Sequence, residues 1–92
     1  MSTARFRFSE DLSRFLRPEH RHRRFAYACA RAANLKNAIE ALGVPHTEVE
    51  LILVNGESSG FGRLLCDGDR VAVYPKFESF DVRKATVSEP DE

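Results

Sequence analysis

Several residue types that specialised protein classes depend on are scarce in this sequence. Its 92 residues include no tryptophan, one methionine and two cysteines. Cys29 and Cys66 are isolated from each other, so they form neither a zinc knuckle nor a redox-active CxxC motif, and we predict buried free thiols. No apolar run approaches the roughly 20 residues of a membrane span, and the N-terminus is too polar and arginine-rich for a secretory signal. We therefore expect a cytoplasmic protein without membrane contact.

The composition is that of one small folded domain. Hydrophobic residues make up 42% of the chain and charged residues 30%, which is ordinary for a globular protein and argues against overall disorder. We predict a domain over residues 1–82. Residues 83–92 are predicted to form a flexible acidic tail, because Val87 is the one residue in that stretch apolar enough to dock.

The net charge is zero because 14 basic residues balance 14 acidic ones, yet the two signs are divided along the chain. Residues 1–31 contain eight arginines and three acidic residues, whereas residues 32–92 contain six basic and eleven acidic residues. Such a division can produce an oriented surface that attracts a charged partner. Alternatively, the two signs interleave in space, and we favour this interpretation because strands distant in sequence commonly lie side by side.

Alternation of side chains predicts two strands in the first third of the chain. In Ala4–Phe8, apolar residues alternate with Arg5 and Arg7, which is the period of a strand with one face on the core and one in solvent. In Phe25–Ala30, large side chains alternate with alanines, so we predict a second strand. Between them, Arg17–Arg24 is almost wholly polar and is expected to be a solvated connection.

Two further strands are predicted in the second half. The run Leu51–Val54 is apolar on both faces and predicts a central strand. Val71–Tyr74 has the β-branched and aromatic character of a largely buried strand, and Pro75 marks where its backbone pairing must stop. Tight turns are predicted beside these strands, at Asn55-Gly56 and at Asp67-Gly68-Asp69.

Helix signals occupy the remaining segments. Ser9 followed by two acidic residues predicts an N-cap and a short helix that ends before Pro18. Asn34 is a plausible N-cap for the main helix, which Gly43 ends. Leu64 and Leu65 follow a glycine-containing loop, and we expect both to fold back as a small plug under the sheet. The order of elements predicts an α+β fold of the β-grasp kind, in which one main helix crosses a mixed four- or five-stranded sheet.

Two sets of motifs carry a resemblance to known families. Val54-Asn55-Gly56 and Asp67–Pro75 resemble segments of the ubiquitin-like sulfur carriers of molybdopterin and thiamine synthesis. A more specific resemblance covers nearly the whole chain and is to the ubiquitin-like domain that precedes a Mut-seven C-terminal RNase domain in many bacterial proteins. Its matching segments are Phe6–Phe8, Leu16–Glu19, Ala38–Val49, Leu51–Ser58 and Asp67–Ser79. This resemblance implies a ubiquitin-like β-grasp and a non-enzymatic module that positions or regulates a partner, in particular a covalently linked RNase-type (PIN-like) domain.

The sequence departs from both families in one respect each. Sulfur carriers act through a C-terminal Gly-Gly, whereas no glycine follows Gly68 here, so we expect no carrier chemistry on the chain as given. The RNase part is absent, and the chain is either a portion of a longer protein or a stand-alone copy.

The remaining candidate sites are few. The histidines, at positions 20, 22 and 46, lack the spacing and companions of a metal site, so we expect neither metal nor cofactor. Asp67 and Asp69 are expected to be turn formers rather than a catalytic pair. No catalytic residue and no small-molecule substrate are predicted. The candidate contacts for a protein partner, or for RNA, are Arg5, Arg7, Arg17, Arg21, Arg23 and Arg24. Docking of a protein also needs apolar anchors, for which Phe77 and Phe80 are the nearest candidates.

Overall fold

A computed structural model of the chain describes residues 2–30 and 32–76 and shows one mixed five-stranded sheet. The strands are β1 (Ser2–Phe8), β2 (Phe25–Cys29), β3 (Val49–Val54), β4 (Glu57–Ser59) and β5 (Arg70–Pro75). Their order across the sheet is β2-β1-β5-β3-β4. The central strands β1 and β5 are parallel, and every other neighbouring pair is antiparallel. The predicted β-grasp is confirmed, whereas the tail, Phe77 and Phe80 lie outside the described residues.

One α-helix, α1 (Leu35–Ala41), follows β2. It begins as predicted, because the Asn34 side chain accepts a hydrogen bond of 2.8 Å from the Asn37 N–H. The segment after Ser9 differs from the prediction. It is a 3₁₀ helix over Glu10–Phe15, and the Ser9 side chain does not cap it. Two shorter 3₁₀ turns lie at Pro18–His20 and His46–Glu48.

The hydrophobic core lies between α1 and one face of the sheet. Because successive strand residues point to opposite faces, β1 buries alternate side chains and leaves its arginines outside, as predicted. Phe6 stacks on Phe8 and Phe25, at centroid distances of 5.9 and 6.3 Å. The strand and helix side chains that meet in this core include Ala4, Phe6, Phe8, Phe25, Cys29, Leu35, Ala38, Ile39, Ile52, Val54, Val71 and Val73.

The second face of the sheet is open, which corrects two predictions. β3 is an interior strand, between β5 and β4, as predicted, but it is not buried on both faces. Leu51 and Tyr74 are each 40% exposed, and Leu53 is half-buried, although all three were expected to lie inside. The physical reason is that α1 covers one face alone, and no element among residues 2–30 and 32–76 packs on the other. An apolar run in the sequence therefore did not mean burial on both faces.

Three smaller expectations also change. Leu65 is buried and its N–H bonds to the Ala33 carbonyl at 2.9 Å, but Leu64 is 54% exposed, so the predicted plug has one apolar side chain instead of two. Cys29 is buried as expected, whereas Cys66 is exposed because it begins a surface turn. Backbone pairing continues one residue past Pro75, since the next N–H donates to the Glu48 carbonyl at 3.0 Å.

Candidate functional site: the open sheet face

Arginines line the sheet face opposite α1, which we call the open face. Arg5 and Arg7 point outward from β1, as predicted. In the parallel pairing of β1 with β5, Arg5 lies directly opposite Arg70, and Arg7 lies opposite Ala72. Two cations therefore stand side by side at one end of the shared register, while a small side chain leaves space at the other.

Apolar side chains occupy the middle of the same face. Leu51 of β3 is paired with Tyr74 of β5, and Leu53 is paired with Ala72. Since these residues alternate with the buried Ile52 and Val73, their side chains face away from the core. The open face thus has an apolar centre with arginines beside it.

The arginine-rich connection between β1 and β2 is dispersed in space. Arg24 reaches the open face, where it lines two hollows together with Ala72. Arg17 lines a separate hollow between the connection and the end of α1. The Arg21 side chain is half-buried and donates from Nε to the Leu16 carbonyl at 2.9 Å, so its role is structural. Arg23 is exposed. The six candidate arginines therefore do not form one continuous surface.

Two hollows indent the open face and share Arg24 and Ala72. The first has a volume of about 480 Å³ and lies at the end of β1 and β5, and the second, of about 200 Å³, lies toward the β3–β4 turn. The first is lined by Arg7, Phe8, Ser9, Glu10, His22, Arg24, Ala72 and Tyr74. The second is lined by Arg24, Leu53, Asn55, Gly56, Arg70, Val71 and Ala72. Arg24 therefore connects two cationic depressions.

The arginines of this face have no counterion among the described residues. Within residues 2–30 and 32–76, the side chains of Arg5, Arg7, Arg24 and Arg70 form no hydrogen bond and no ion pair with another residue. The ion pairs of the described part lie elsewhere, between Arg63 and Asp69 and between His46 and Glu40. In the described part of the chain, the positive charge of these four arginines is therefore not neutralised by an ion pair.

A buried carboxylate holds one end of this face in place. Asp69 is 6% exposed and accepts hydrogen bonds from the Cys66 N–H at 2.9 Å, the Asn55 amide at 3.0 Å and the Arg63 guanidinium at 3.0 Å. Burial alone would raise the pKa of Asp69, but these three donors outweigh it and hold the pKa below its usual value. Asp69 therefore fastens the turn before β5 to the β3–β4 hairpin.

The two predicted turns themselves are present. Asn55 and Gly56 have φ values of 54° and 89°, as a two-residue type I′ hairpin turn requires. Gly68 has a φ of 88°, and the Asp69 N–H closes its turn onto the Cys66 carbonyl at 3.1 Å. Asp67, in contrast to Asp69, is exposed, and its carboxylate accepts a bond of 2.8 Å from the Thr3 N–H. The aspartates are turn residues, and one of them is also a buried anchor.

The three histidines lie apart. His20 stacks on Phe25 at a centroid distance of 4.0 Å, and His22 lines the first hollow. His46 is hydrogen-bonded to Glu40, and this contact holds the pKa of the Glu40 carboxyl below its usual value. In the described part of the chain, no three histidine, cysteine or acidic side chains are grouped to hold a metal ion.

That part also contains no helix long and apolar enough to cross a membrane.

Sequence reasoning missed several residues of the open face. Arg70 lies between the predicted turn and the predicted strand and was not among the candidate contacts, and only its pairing opposite Arg5 shows that it belongs here. Leu51, Leu53 and Tyr74 were assigned to the interior. The available signal was the alternation of Arg70, Ala72 and Tyr74 with two valines, which places those three side chains on one face.

Comparisons with known proteins agree with this architecture. A family model described as Mut7-C ubiquitin matches residues 1–81. A crystal structure of small archaeal modifier protein 1 from H. volcanii is similar, with a TM-score of 0.61 and 19% identity over 82% of this chain and 98% of that one. A second structure of that protein, SAMP1 from Haloferax volcanii, has a TM-score of 0.60 and 19% identity over 82% of this chain and 96% of that one. No curated protein matches significantly.

Proposed function

Because this chain belongs to the Mut7-C ubiquitin family, we propose that it is a non-enzymatic interaction module that positions or regulates an RNase-type, PIN-like partner domain. The observation that carries the proposal is the open face, whose exposed apolar centre adjoins arginines that form no ion pair within residues 2–30 and 32–76. The partner surface that fits this face is apolar at its middle and acidic at its margin.

The composition of the face supports docking of a protein. Interfaces combine a desolvated apolar and aromatic centre with a polar margin, and arginine and tyrosine are enriched among the residues that contribute most to affinity. Tyr74 and Leu51 supply such a centre, because they are paired with each other across β5 and β3 and each is 40% exposed. Arginines at the margin accelerate association with an acidic surface and disfavour basic ones.

The test is binding in trans to a Mut7-C RNase-type domain produced as a separate chain, measured by calorimetry. Truncation of a central apolar contact typically costs binding on the order of 1–2 kcal/mol. Leu51→Ala is therefore expected to weaken binding about tenfold. Leu64→Ala is the matched control, because Leu64 is more exposed, at 54%, but is not on the open face. Equal effects of the two substitutions, or no binding by the wild type, would contradict docking through this face.

RNA binding is the second candidate, and the unpaired arginines of the open face are the observation that favours it. Contacts with phosphates weaken steeply as salt increases and persist across nucleotide sequences. Tyr74 is the one exposed aromatic ring placed on the face among the described residues, which limits base stacking. We expect weak or no binding of single-stranded RNA by this domain. If the wild type bound RNA tightly and in a salt-sensitive manner, and the double substitution Arg7→Glu/Arg24→Glu abolished that binding, RNA rather than a protein would be the favoured partner of the open face.

The third alternative is a sulfur carrier, and a separate assay addresses it. Carriers are activated at a C-terminal Gly-Gly, and residues 69–92 of this chain contain no glycine from which trimming could expose one. Incubation with an E1-like activating enzyme and ATP is therefore expected to yield no adenylate by mass spectrometry. A C-terminal adenylate or thiocarboxylate would replace the docking proposal with a carrier function.

A further inference from the structure

The first hollow of the open face has the chemistry of an anion site. Its volume is about 480 Å³, and Arg7, Arg24 and His22 contribute to its lining. We propose that this hollow binds a phosphate monoester, as carried by a mononucleotide or by the 5′ end of an RNA strand. The proposal concerns a ligand rather than the docked domain, and it is tested without any partner protein.

The fold brings the cationic groups together from two segments. Arg7 points outward near the end of β1, opposite Ala72 of β5. Arg24 directly precedes β2, whose Phe25 is paired with Phe6, so the antiparallel register continues toward Arg7. On the other side of Arg7, β5 contributes the small Ala72 to the lining, which leaves space on the floor of the hollow. The site is thus formed where β1, β2 and β5 lie side by side, which no single stretch of sequence reveals.

The number of hydrogen-bond donors favours a phosphate over a carboxylate. Each guanidinium carries five N–H donors, and an imidazole, a hydroxyl and a phenol add further ones. His22, Ser9 and Tyr74 place these groups on the lining. A monoester offers three terminal oxygens and a charge of about −1.5 to −2, whereas a carboxylate offers two oxygens and one charge. Because the Glu10 carboxylate offsets one of the two guanidinium charges, the preference for a phosphate follows from the number of donors rather than from the net charge of the lining.

Two local irregularities coincide with this hollow. His22 has a φ of 60°, a conformation that is unfavourable for a residue with a side chain. The Ser9 hydroxyl oxygen is buried and has no hydrogen-bond partner in the described part of the chain, although its backbone N–H is fixed to the Val73 carbonyl at 2.9 Å. Unsatisfied buried hydroxyls are uncommon in proteins. Both features are explained if the segment is arranged to bind a ligand that accepts hydrogen bonds.

The hollow is larger than a phosphate group requires, and this indicates an ester rather than the free ion. Space remains beside Tyr74, whose ring is 40% exposed and available to a planar group. Inorganic phosphate should therefore bind, but less tightly than a nucleoside monophosphate. A mononucleotide and the 5′ end of an RNA strand both carry such a terminal phosphate, and comparison of the two as ligands shows which of them binds more tightly.

The experiment is a titration of the full chain, followed by the chemical shifts of the His22 ring and the Ala72 methyl group. The probes are AMP, adenosine, inorganic phosphate, and one short oligoribonucleotide with a 5′-phosphate or a 5′-hydroxyl. We expect saturable but weak binding, in the millimolar range, of AMP and of the 5′-phosphorylated strand, still weaker binding of phosphate, and no binding of adenosine or of the 5′-hydroxyl strand. Equal binding of AMP and adenosine, or no saturable shift with AMP or the phosphorylated strand at millimolar concentration, would overturn the proposal.

Neighbouring arginines provide a matched pair of variants. Arg24→Ala removes a guanidinium of the hollow and is expected to weaken AMP binding about tenfold or more, whereas Arg23→Ala removes an adjacent exposed charge and is expected to change it less than twofold. Equal losses would mean diffuse attraction rather than a site. Ala72→Leu fills the floor without altering charge and should also abolish binding; unchanged binding in a folded Ala72→Leu variant would exclude this hollow.

Discussion

Replacement of Asp69 by alanine tests the central structural claim, that a buried carboxylate fastens the turn before β5 to the hairpin beyond β3. The substitution removes the acceptor of three hydrogen bonds, from Cys66, Asn55 and Arg63. It also leaves those donors without their partner in a site where the aspartate itself was 6% exposed. The expected result is a large loss of stability from a single surface turn.

The magnitude follows from the bonds that are lost. A hydrogen bond to a charged group contributes about 1.5–3 kcal/mol, but three bonds to one carboxylate are not additive, and removal of the carboxylate also removes the cost of burying it. Deletion of one partner of a buried ion pair costs about 3–5 kcal/mol. Because the Arg63 side chain is partly exposed, at 37%, we expect the lower end, about 3 kcal/mol. For a domain of this size, that corresponds to a midpoint lowered by roughly 15 °C.

The assay is urea unfolding, which avoids the ionic screening that guanidinium introduces. Asp67→Ala is the matched control, because Asp67 lies two residues away in the same turn, is exposed and accepts one bond, from Thr3. We expect it to cost about 1 kcal/mol or less. If Asp69→Ala were no more harmful than Asp67→Ala, the anchoring role of Asp69 would be refuted.

The pH dependence gives an independent check on the same residue. Burial raises the pKa of Asp69, but the hydrogen bonds from its three donors lower it by more. The folded-state pKa of Asp69 therefore lies below its usual value. The unfolded chain has a pKa of about 3.9, so the stabilisation is fully present above that value and is lost as the pH falls through the folded pKa. The difference between wild type and Asp69→Ala should be constant from about pH 5 to 8 and shrink below about pH 4. A difference that persists undiminished at the lowest pH would attribute the loss to packing instead.

Three further outcomes are expected. Gly68→Val should lower stability by about 1–3 kcal/mol through the positive φ of 88° alone, since a Cβ there meets nothing within 4 Å, and an unchanged melting temperature would contradict this conformation. Cys66 should react with a thiol reagent in the native protein, whereas Cys29, whose pKa burial raises, should react only on unfolding; simultaneous labelling would contradict the burial of Cys29. Glu40→Gln should destabilise the domain at pH 6 but not near pH 3. The hydrogen bond with His46 lowers the pKa of Glu40, so the stabilisation that this bond provides is lost as the carboxyl protonates. A difference in urea midpoint that does not change with pH would refute this.

The elements that the sequence predicts well are those specified by local patterns. β1 alternates strictly because one face is covered by the core, and Asn34 caps α1 with its own side chain. Burial of the second face was not predictable in this way. Leu51 and Leu53 are apolar whether or not another element covers them. Whether they are buried depends on the number of layers in the whole fold, which these residues do not specify. The same limit applies to Tyr74.

The open face was predictable in part for a similar reason. The outward direction of Arg5 and Arg7 follows from strand period, but Arg21 and Arg24 lie in an irregular segment whose path is set by tertiary contacts. Arg21 donates a hydrogen bond to the Leu16 carbonyl, while Arg24 lines hollows of the open face. The arginines of this segment are therefore more dispersed in space than their proximity in the sequence indicated. Arg70, which does lie beside Arg5, is separated from it by 65 positions, and only strand pairing brings the two together.

The placement of these charges supports the proposal that the open face is a binding surface. Like charges directly opposite on adjacent strands destabilise a sheet, yet Arg5 stands opposite Arg70 without an internal counterion for either in the described part of the chain. On the same face, Leu51 and Tyr74 remain exposed when burial would stabilise the fold. The opposite face of the same strands has no such conflicts and is packed against α1. Local choices that oppose stability, and that are concentrated on one surface, are the expected mark of a binding site, because a partner of acidic and apolar character relieves both costs at once.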